Sequence, residues 1–420
     1  MNIKITPSVT RGDIRAIASK SVAHRIAICA AFAKNETRIL CQQTNEDIEA
    51  TLRCLSSLGA KIKKEGQYIT VSPVDTVNKG ALLDCGESGS TMRFLVPVAA
   101  LLGADASFLM SGRLPERPLS PLREELERCG VVFSEIGSNP LICKGEATDC
   151  EFFIRGDVSS QFISGLLLGL AVSGRRGRVN IEGELQSAPY VEITADVIRG
   201  FGATVFYSDG GYEIDARGGL VSDGEIAVEG DWSGAAFPLC LGAIGRDSVR
   251  VSGLCKNSRQ GDKRIIEILQ EMGACIEWQD ECVTVSPSAL HGVRIDASQI
   301  PDLVPALAVV CALAEGESVI YNAERLRIKE SDRLRAVCKT LGAFGADIVE
   351  TEDGLRIFGM PCFMGGETLS FGDHRIVMSA AIASVRSTRS VTIYGAEAVA
   401  KSYPSFFEDM SALGMVCESV

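Results

Sequence analysis

Apolar and polar positions along this chain follow two periods, and the switch between them recurs. Nearly charge-free apolar stretches open at Ser21, Ser90, Ser160, Ser233, Asp302 and Asp373, spaced 69 to 73 residues apart. Each lacks a polar face, which predicts a helix buried on all sides. A second segment follows each one, with apolar residues at helical spacing. In residues 262–272, for example, Lys263, Arg264, Glu267 and Glu271 supply the polar side. That pattern predicts an amphipathic helix covering the outside. It closes on a glycine at 59, 130, 202, 273, 345 and 414, spaced 69 to 72 residues apart. Glycine suits the left-handed position that ends a helix. Strands read before and after each apolar helix, as at 80–85. After the glycine a hairpin follows, such as 61–64 with 68–71 about Gly66.

The pattern predicts an α/β protein of six repeats, each of about 70 residues. The sixth stops after 415–420, without a return strand. Residues 3–8 (IKITPS) resemble the return strand of the first repeat, 68–73 (YITVSP). The N-terminal strand is therefore expected to complete the last hairpin. Two domains follow. Residues 15–228 hold repeats one to three, and residues 1–14 with 229–420 hold repeats four to six. The chain is expected to cross between them near 13–18 and 225–230.

Composition narrows the function. The 420 residues carry 42 Lys+Arg against 54 Asp+Glu, a net charge of −12, which disfavours a nucleic-acid partner. The longest apolar runs, 303–314 and 162–172, fall well short of the roughly 20 residues of a spanning helix. Residues 1–6 carry no signal-peptide core. Fifteen cysteines without a C-x-x-C pair read as small core residues in a reducing compartment. The expectation is a soluble, cytoplasmic protein with no membrane partner.

Candidate chemistry collects where the repeat places helix N-termini. At apolar-helix starts stand Ser19-Lys20-Ser21 with Arg25, Glu87-Ser88-Gly89-Ser90 with Arg93, Ser159-Ser160-Gln161, Asp231-Trp232-Ser233, Pro301-Asp302 and Asp373-His374-Arg375. At amphipathic-helix starts stand Arg117-Pro118, Ser187 with Tyr190, Lys329-Glu330-Ser331-Asp332-Arg333 and Lys401-Ser402-Tyr403-Pro404. Free N–H groups and the positive dipole end suit anions, and Arg can hold a carboxylate or phosphate with two bonds. Taken singly, each serine reads as a helix cap and each Arg or Lys as solvated surface. Their equivalent places in a repeat point instead to convergence on small, highly anionic ligands, in a cleft between the domains. No Walker loop, strand-linked G-x-G-x-x-G or His/Cys metal cluster is present, so chemistry without a cofactor is expected.

These residues resemble the landmarks of the 5-enolpyruvylshikimate-3-phosphate synthase family, in order and along nearly the whole chain. The Lys329-Glu330-Ser331-Asp332-Arg333-Leu334 run is the most specific. The resemblance implies a two-domain inside-out α/β barrel with helix N-termini facing the interdomain cleft. It implies transfer of the enolpyruvyl group of phosphoenolpyruvate to the 5-hydroxyl of shikimate 3-phosphate, releasing phosphate, on the pathway to chorismate and aromatic amino acids.

Carried over, the family's sites give shikimate 3-phosphate to Lys20, Ser21, Arg25, Ser159, Ser160, Gln161, Ser187, Asp302 and Lys329. They give phosphoenolpyruvate to Lys20, Gly89, Arg117, Gln161, Arg333, Arg375 and Lys401. Asp302, Glu330 and Lys20 are the implied catalytic residues, with Asp302 accepting the hydroxyl proton and Glu330 serving the enol methylene. A monomer without metal is expected, with glyphosate as an inhibitor. Glu87 departs from the Asn of many members, beside the phosphoenolpyruvate position.

A sister enzyme acting on UDP-N-acetylglucosamine is the alternative; it uses a Cys before its Arg-Pro, and 111–117 has none. The acidic charge disfavours an RNA 3′-phosphate cyclase. A non-catalytic relative would be expected to have lost Lys20, Asp302 or Glu330.

Overall fold

The structure, a computed structural model, describes residues 1–420. It divides into two compact units, Ala18–Val228 and Met1–Ile17 with Glu229–Val420.

In the unit 18–228 the helices are α1 (Lys20–Ala31), α2 (Glu46–Leu58), α3 (Gly89–Leu101), α4 (Leu122–Arg128), α5 (Ser160–Val172) and α6 (Ala188–Gly200). In the other they are α7 (Trp232–Ile244), α8 (Ile265–Glu271), α9 (Val304–Cys311), α10 (Arg333–Ala343), α11 (His374–Ser384) and α12 (Phe406–Ala412). The odd-numbered helices are the apolar ones. All of α9 and α11 is buried, as is all of α3 except Ser90 and all of α7 except Ser233. They form the interior of each unit, and the amphipathic even-numbered helices bury one face against them. The six closing glycines have φ between +85° and +120°.

Close approach of α3 and α5 has a visible cause. Pro97 inside α3 has no N–H to give the Arg93 carbonyl. Gly165 of α5 fits against that oxygen, where any Cβ would overlap it.

The strands form six four-stranded sheets. Five join a parallel pair to an antiparallel hairpin, as in Glu225–Ala227, Thr37–Leu40, Tyr68–Ser72 and Lys61–Glu65, and in the sixth Asn2–Thr6 takes the place of the return strand. Lead strands are exchanged at two places. Gly12–Arg15 precedes α1 but pairs with Val249–Ser252, whereas Glu225–Ala227 precedes α7 but pairs with Thr37–Leu40. Asn2–Thr6 lies between Val391–Tyr394 and Val416–Ser419, antiparallel to both.

Several boundaries differ from the sequence pattern. Helices expected to open at Ser21, Ser90 and Ser233 are capped two residues earlier, at Ser19, Ser88 and Asp231. Ser88 and Asp231 accept an N–H two or three residues on, so the cap precedes the apolar run, and Ser19 holds the same position without a side-chain cap bond. Near Asp302 a 3-10 turn, Pro301–Leu303, comes first. The segment 262–272 likewise begins as a 3-10 turn, Gly261–Arg264.

Candidate active site

The apolar helices leave the core mostly at their first residues. The positions not buried are Lys20 and Ser21 in α1, Ser90 in α3, Gln161 and Val172 in α5 and Ser233 in α7. All but Val172 lie in the first turn, so sequence-expected site residues sit where buried dipoles reach polar surroundings.

In the unit 18–228, Lys20 Nζ donates to Asp47 Oδ2 at 2.8 Å, with the Asp47 side chain 5% exposed. Arg25 is buried between helices. Its Nε donates to Thr194 Oγ1 at 2.6 Å, its Nη1 to the Ser21 carbonyl at 2.6 Å and its Nη2 to the Tyr190 carbonyl at 2.9 Å. Its guanidinium carbon lies 4.7 Å from the Phe94 ring centroid. Arg25 thus ties α1 to α6. Ser159 caps α5 by accepting the Gln161 N–H. The Gln161 side chain accepts from Arg93 Nη1 at 2.8 Å and donates to Ser90 Oγ at 2.9 Å. The Arg117 guanidinium lies so close to Gly89 that a Cβ there would be 2.7 Å from Nη1. Ser187 takes a left-handed φ of 56° before Ala188-Pro189, a strain that collects at functional positions.

In the other unit a fully packed charge cluster surrounds Arg333, whose side chain is 2% exposed. Its Nε pairs with Asp373 at 2.7 Å, Nη1 with Asp302 at 2.8 Å and Nη2 with Glu330 at 2.6 Å. Arg375 donates to the Asp302 carbonyl and to Ser233 Oγ, and its Nη2 stands 3.2 Å from Asp302 Oδ2. Asp373 also caps α11 and accepts from Ser331. Burial alone would raise the Asp302 carboxyl, yet Arg375, Lys329 and Arg333 hold it well below the usual carboxylate range. Burial pushes Lys329 down to about 8; Asp302 opposes this, and nearby Arg333 and Arg325 add to it.

Three sites differ from the expected helix starts. Lys329 ends the 3-10 turn Glu324–Ile328, ahead of α10. Arg117 ends the 3-10 turn Leu114–Glu116, and α4 begins only at Leu122. Lys401, buried, ends the 3-10 turn Ala396–Lys401, ahead of α12. The sequence reading missed the carboxylate Asp47, and it placed Asp373 at a helix start without a partner or a role. Their signal was an acidic residue in a helix's first turn or at its cap, which reads equally well as dipole complement. They change the electrostatics: Lys20 carries a partner, and Lys329, Arg333 and Arg375 stand with Asp302, Glu330 and Asp373, three charges of each sign.

A sequence model of the family described as EPSP synthase (3-phosphoshikimate 1-carboxyvinyltransferase) matches residues 5–410. The chain belongs to this family. Among its relatives, the 3-phosphoshikimate 1-carboxyvinyltransferase of Clostridium kluyveri is 40% identical over 98% of this chain and 97% of its own. That of Clostridium perfringens is 42% identical over the same shares. Among solved structures, an EPSP synthase from Acinetobacter baumannii superposes with a TM-score of 0.82 at 27% identity, covering 99% of both chains. The family match and these relatives favour an EPSP synthase over the sugar-nucleotide enzyme. No helix is long and apolar enough to cross a membrane.

Proposed function

We propose that this chain is a transferase that moves the carboxyvinyl (enolpyruvyl) group of phosphoenolpyruvate to the 5-hydroxyl of shikimate 3-phosphate, releasing phosphate. The observation that carries the reading is the Arg333 cluster, set in the specific Lys329–Leu334 run of a chain that matches the family model over residues 5–410. It joins two carboxylates suited to proton transfer, Asp302 and Glu330, to fixed cations suited to an anionic substrate.

Shikimate 3-phosphate is assigned to Ser21, Arg25, Ser159, Ser160, Gln161, Ser187 and Lys329, with its hydroxyl at Asp302. Phosphoenolpyruvate is assigned to Gly89, Arg117, Gln161, Arg333, Arg375 and Lys401, and Lys20 serves both. The hydroxyl oxygen bonds to the enol carbon while its proton passes to Asp302, and Glu330 gives a proton to the methylene carbon. Loss of phosphate and return of that proton restore the double bond in the product. Two ion-paired arginines and the nearby Lys329 bound Asp302's role: its carboxylate is ionised at neutral pH but a weak base. Substrate anions must therefore draw Arg333 or Arg375 away from it before it accepts a proton.

A cytoplasmic monomer, inhibited by glyphosate, accompanies this reading. The test is phosphate release from phosphoenolpyruvate plus shikimate 3-phosphate, without added metal or nucleotide and with UDP-N-acetylglucosamine as the competing acceptor. Phosphate release only with the sugar nucleotide would replace the reading by its alternative.

A further inference from the structure

Behind Lys20 a chain of uncharged polar groups crosses the interior of the unit 18–228. His24 Nδ1 meets Thr51 Oγ1 at 2.7 Å, Thr51 Oγ1 meets Thr91 Oγ1 at 2.7 Å, and Thr91 Oγ1 donates toward Ser88 Oγ at 2.8 Å. Thr91 Oγ1 is also 3.3 Å from the Asp47 carbonyl. Thr51 and Thr91 are wholly buried, and His24 and Ser88 are 1% exposed. Interiors this apolar rarely hold four such groups in series without a use, because each must be satisfied.

The spacing explains what the chain joins. Lys20 and His24 are one turn apart on α1, and Asp47 and Thr51 one turn apart on α2, so each pair shares a face. The helices therefore meet through two rungs. The outer is the Lys20–Asp47 ion pair and the inner is His24–Thr51. Thr91 extends the inner rung to α3, reaching Ser88, which caps that helix beside Gly89 and the Arg117 guanidinium.

Direction follows from what is absent. His24 Nε2 is buried with no hydrogen-bond partner. An unfilled lone pair there costs less than an unpaired N–H, which assigns the proton to Nδ1. His24 then donates to Thr51, Thr51 to Thr91, and Thr91 to Ser88 or the Asp47 carbonyl. Burial pushes the His24 ring down to about 3, so the chain keeps this polarity across the neutral range.

We infer that Thr51, with His24 and Thr91, is a positioning residue for the transfer: it touches no ligand and sets the spacing between Lys20 and the start of α3. This rests on the function proposed above. Ser159, Ser160 and Ser187, at the starts of α5 and α6, lie off the chain, and Arg25 on α1 is held by Thr194 and Tyr190 rather than by it, so breaking it should act chiefly on phosphoenolpyruvate.

Thr51→Val keeps the shape and removes the hydroxyl. The expected result is a KM for phosphoenolpyruvate raised five- to tenfold, with the KM for shikimate 3-phosphate moved by less than half that factor, and Thr51→Ser restoring both. Titration with inorganic phosphate, which needs no turnover, should show a similar loss of affinity. If Thr51→Val does not fold, His24→Gln breaks the chain at its far end and is read the same way. Both KM values within twofold of wild type in a folded variant, an equal rise of both, or no rescue by Ser overturns the inference. A wild type without phosphate release overturns the proposed function instead, and the phosphate titration still decides this point.

Discussion

Replacing Asp302 by Asn changes one proton and one charge in the Arg333 cluster, and the two changes act in opposite directions. Asn keeps an oxygen for Arg333 Nη1, now at 2.8 Å, so the geometry should persist. It removes the negative charge facing Arg333 and Arg375, whose Nη2 is 3.2 Å away. An anion held about 5 Å from that carboxylate feels about 3 kcal/mol of repulsion at an effective dielectric near 20. The Asp302 side chain is 21% exposed, so water screens part of this, leaving about 1.4 kcal/mol, or tenfold. Inorganic phosphate should thus bind Asp302→Asn about tenfold more tightly by calorimetry. Turnover, followed by phosphate release, should fall by about 10²–10⁴ through loss of the proton acceptor. Turnover within threefold of wild type would remove Asp302 from that role. Weaker phosphate binding would show that Asp302 holds the arginines in place more than it opposes the ligand.

Three further outcomes follow from charge and burial. His24 is neutral when folded, its pKa pushed to about 3 by burial against 6.5 for the free side chain. The unfolded chain takes up a proton first, so stability is lost as pH falls below 6.5, by about 2 kcal/mol at pH 5. Urea unfolding of His24→Gln should lack that share of the acid loss, and an unchanged pH dependence would refute the assignment. Lys329, at about 8, loses its charge as pH rises. Phosphate affinity should weaken up to tenfold between pH 7 and 9 and stay flatter in Lys329→Arg; equal slopes would point elsewhere. Only Cys275 of the fifteen cysteines is exposed. A bulky thiol reagent should therefore label one site on the folded protein and leave turnover intact, whereas substrate-protected inactivation would place a thiol in the site.

The repeat was legible because its marks are local. A glycine closing each amphipathic helix and a charge-free run opening each apolar one need only the nearest turn of chain. Cap positions slipped by two residues because Ser19 and Ser21 are the same residue type, and only the backbone decides between them. The exchanged strands, Gly12–Arg15 and Glu225–Ala227, carry no local mark, since parallel pairing joins residues far apart in sequence. Cations and several carboxylates stood out in the motifs, but which pairs with which did not. Asp373 lies 40 residues beyond Arg333 and Asp47 lies 27 beyond Lys20, so the balance of charge emerges only on folding.

Strand Asn2–Thr6, hydrogen-bonded to Val391–Tyr394 and Val416–Ser419, sets a timetable for synthesis. The unit 18–228 holds all its own strands once residue 228 has been made. Asn2–Thr6 leaves the ribosome long before either of its partners is made, and closing so long a loop is slow. In the interval Ile3 and Ile5, buried in the finished protein, are uncovered on a strand with both edges open. A nascent chain halted before residue 391 would thus carry one unit with its strands complete and one adhesive strand, which makes premature termination there more hazardous than the loss of two strands would suggest.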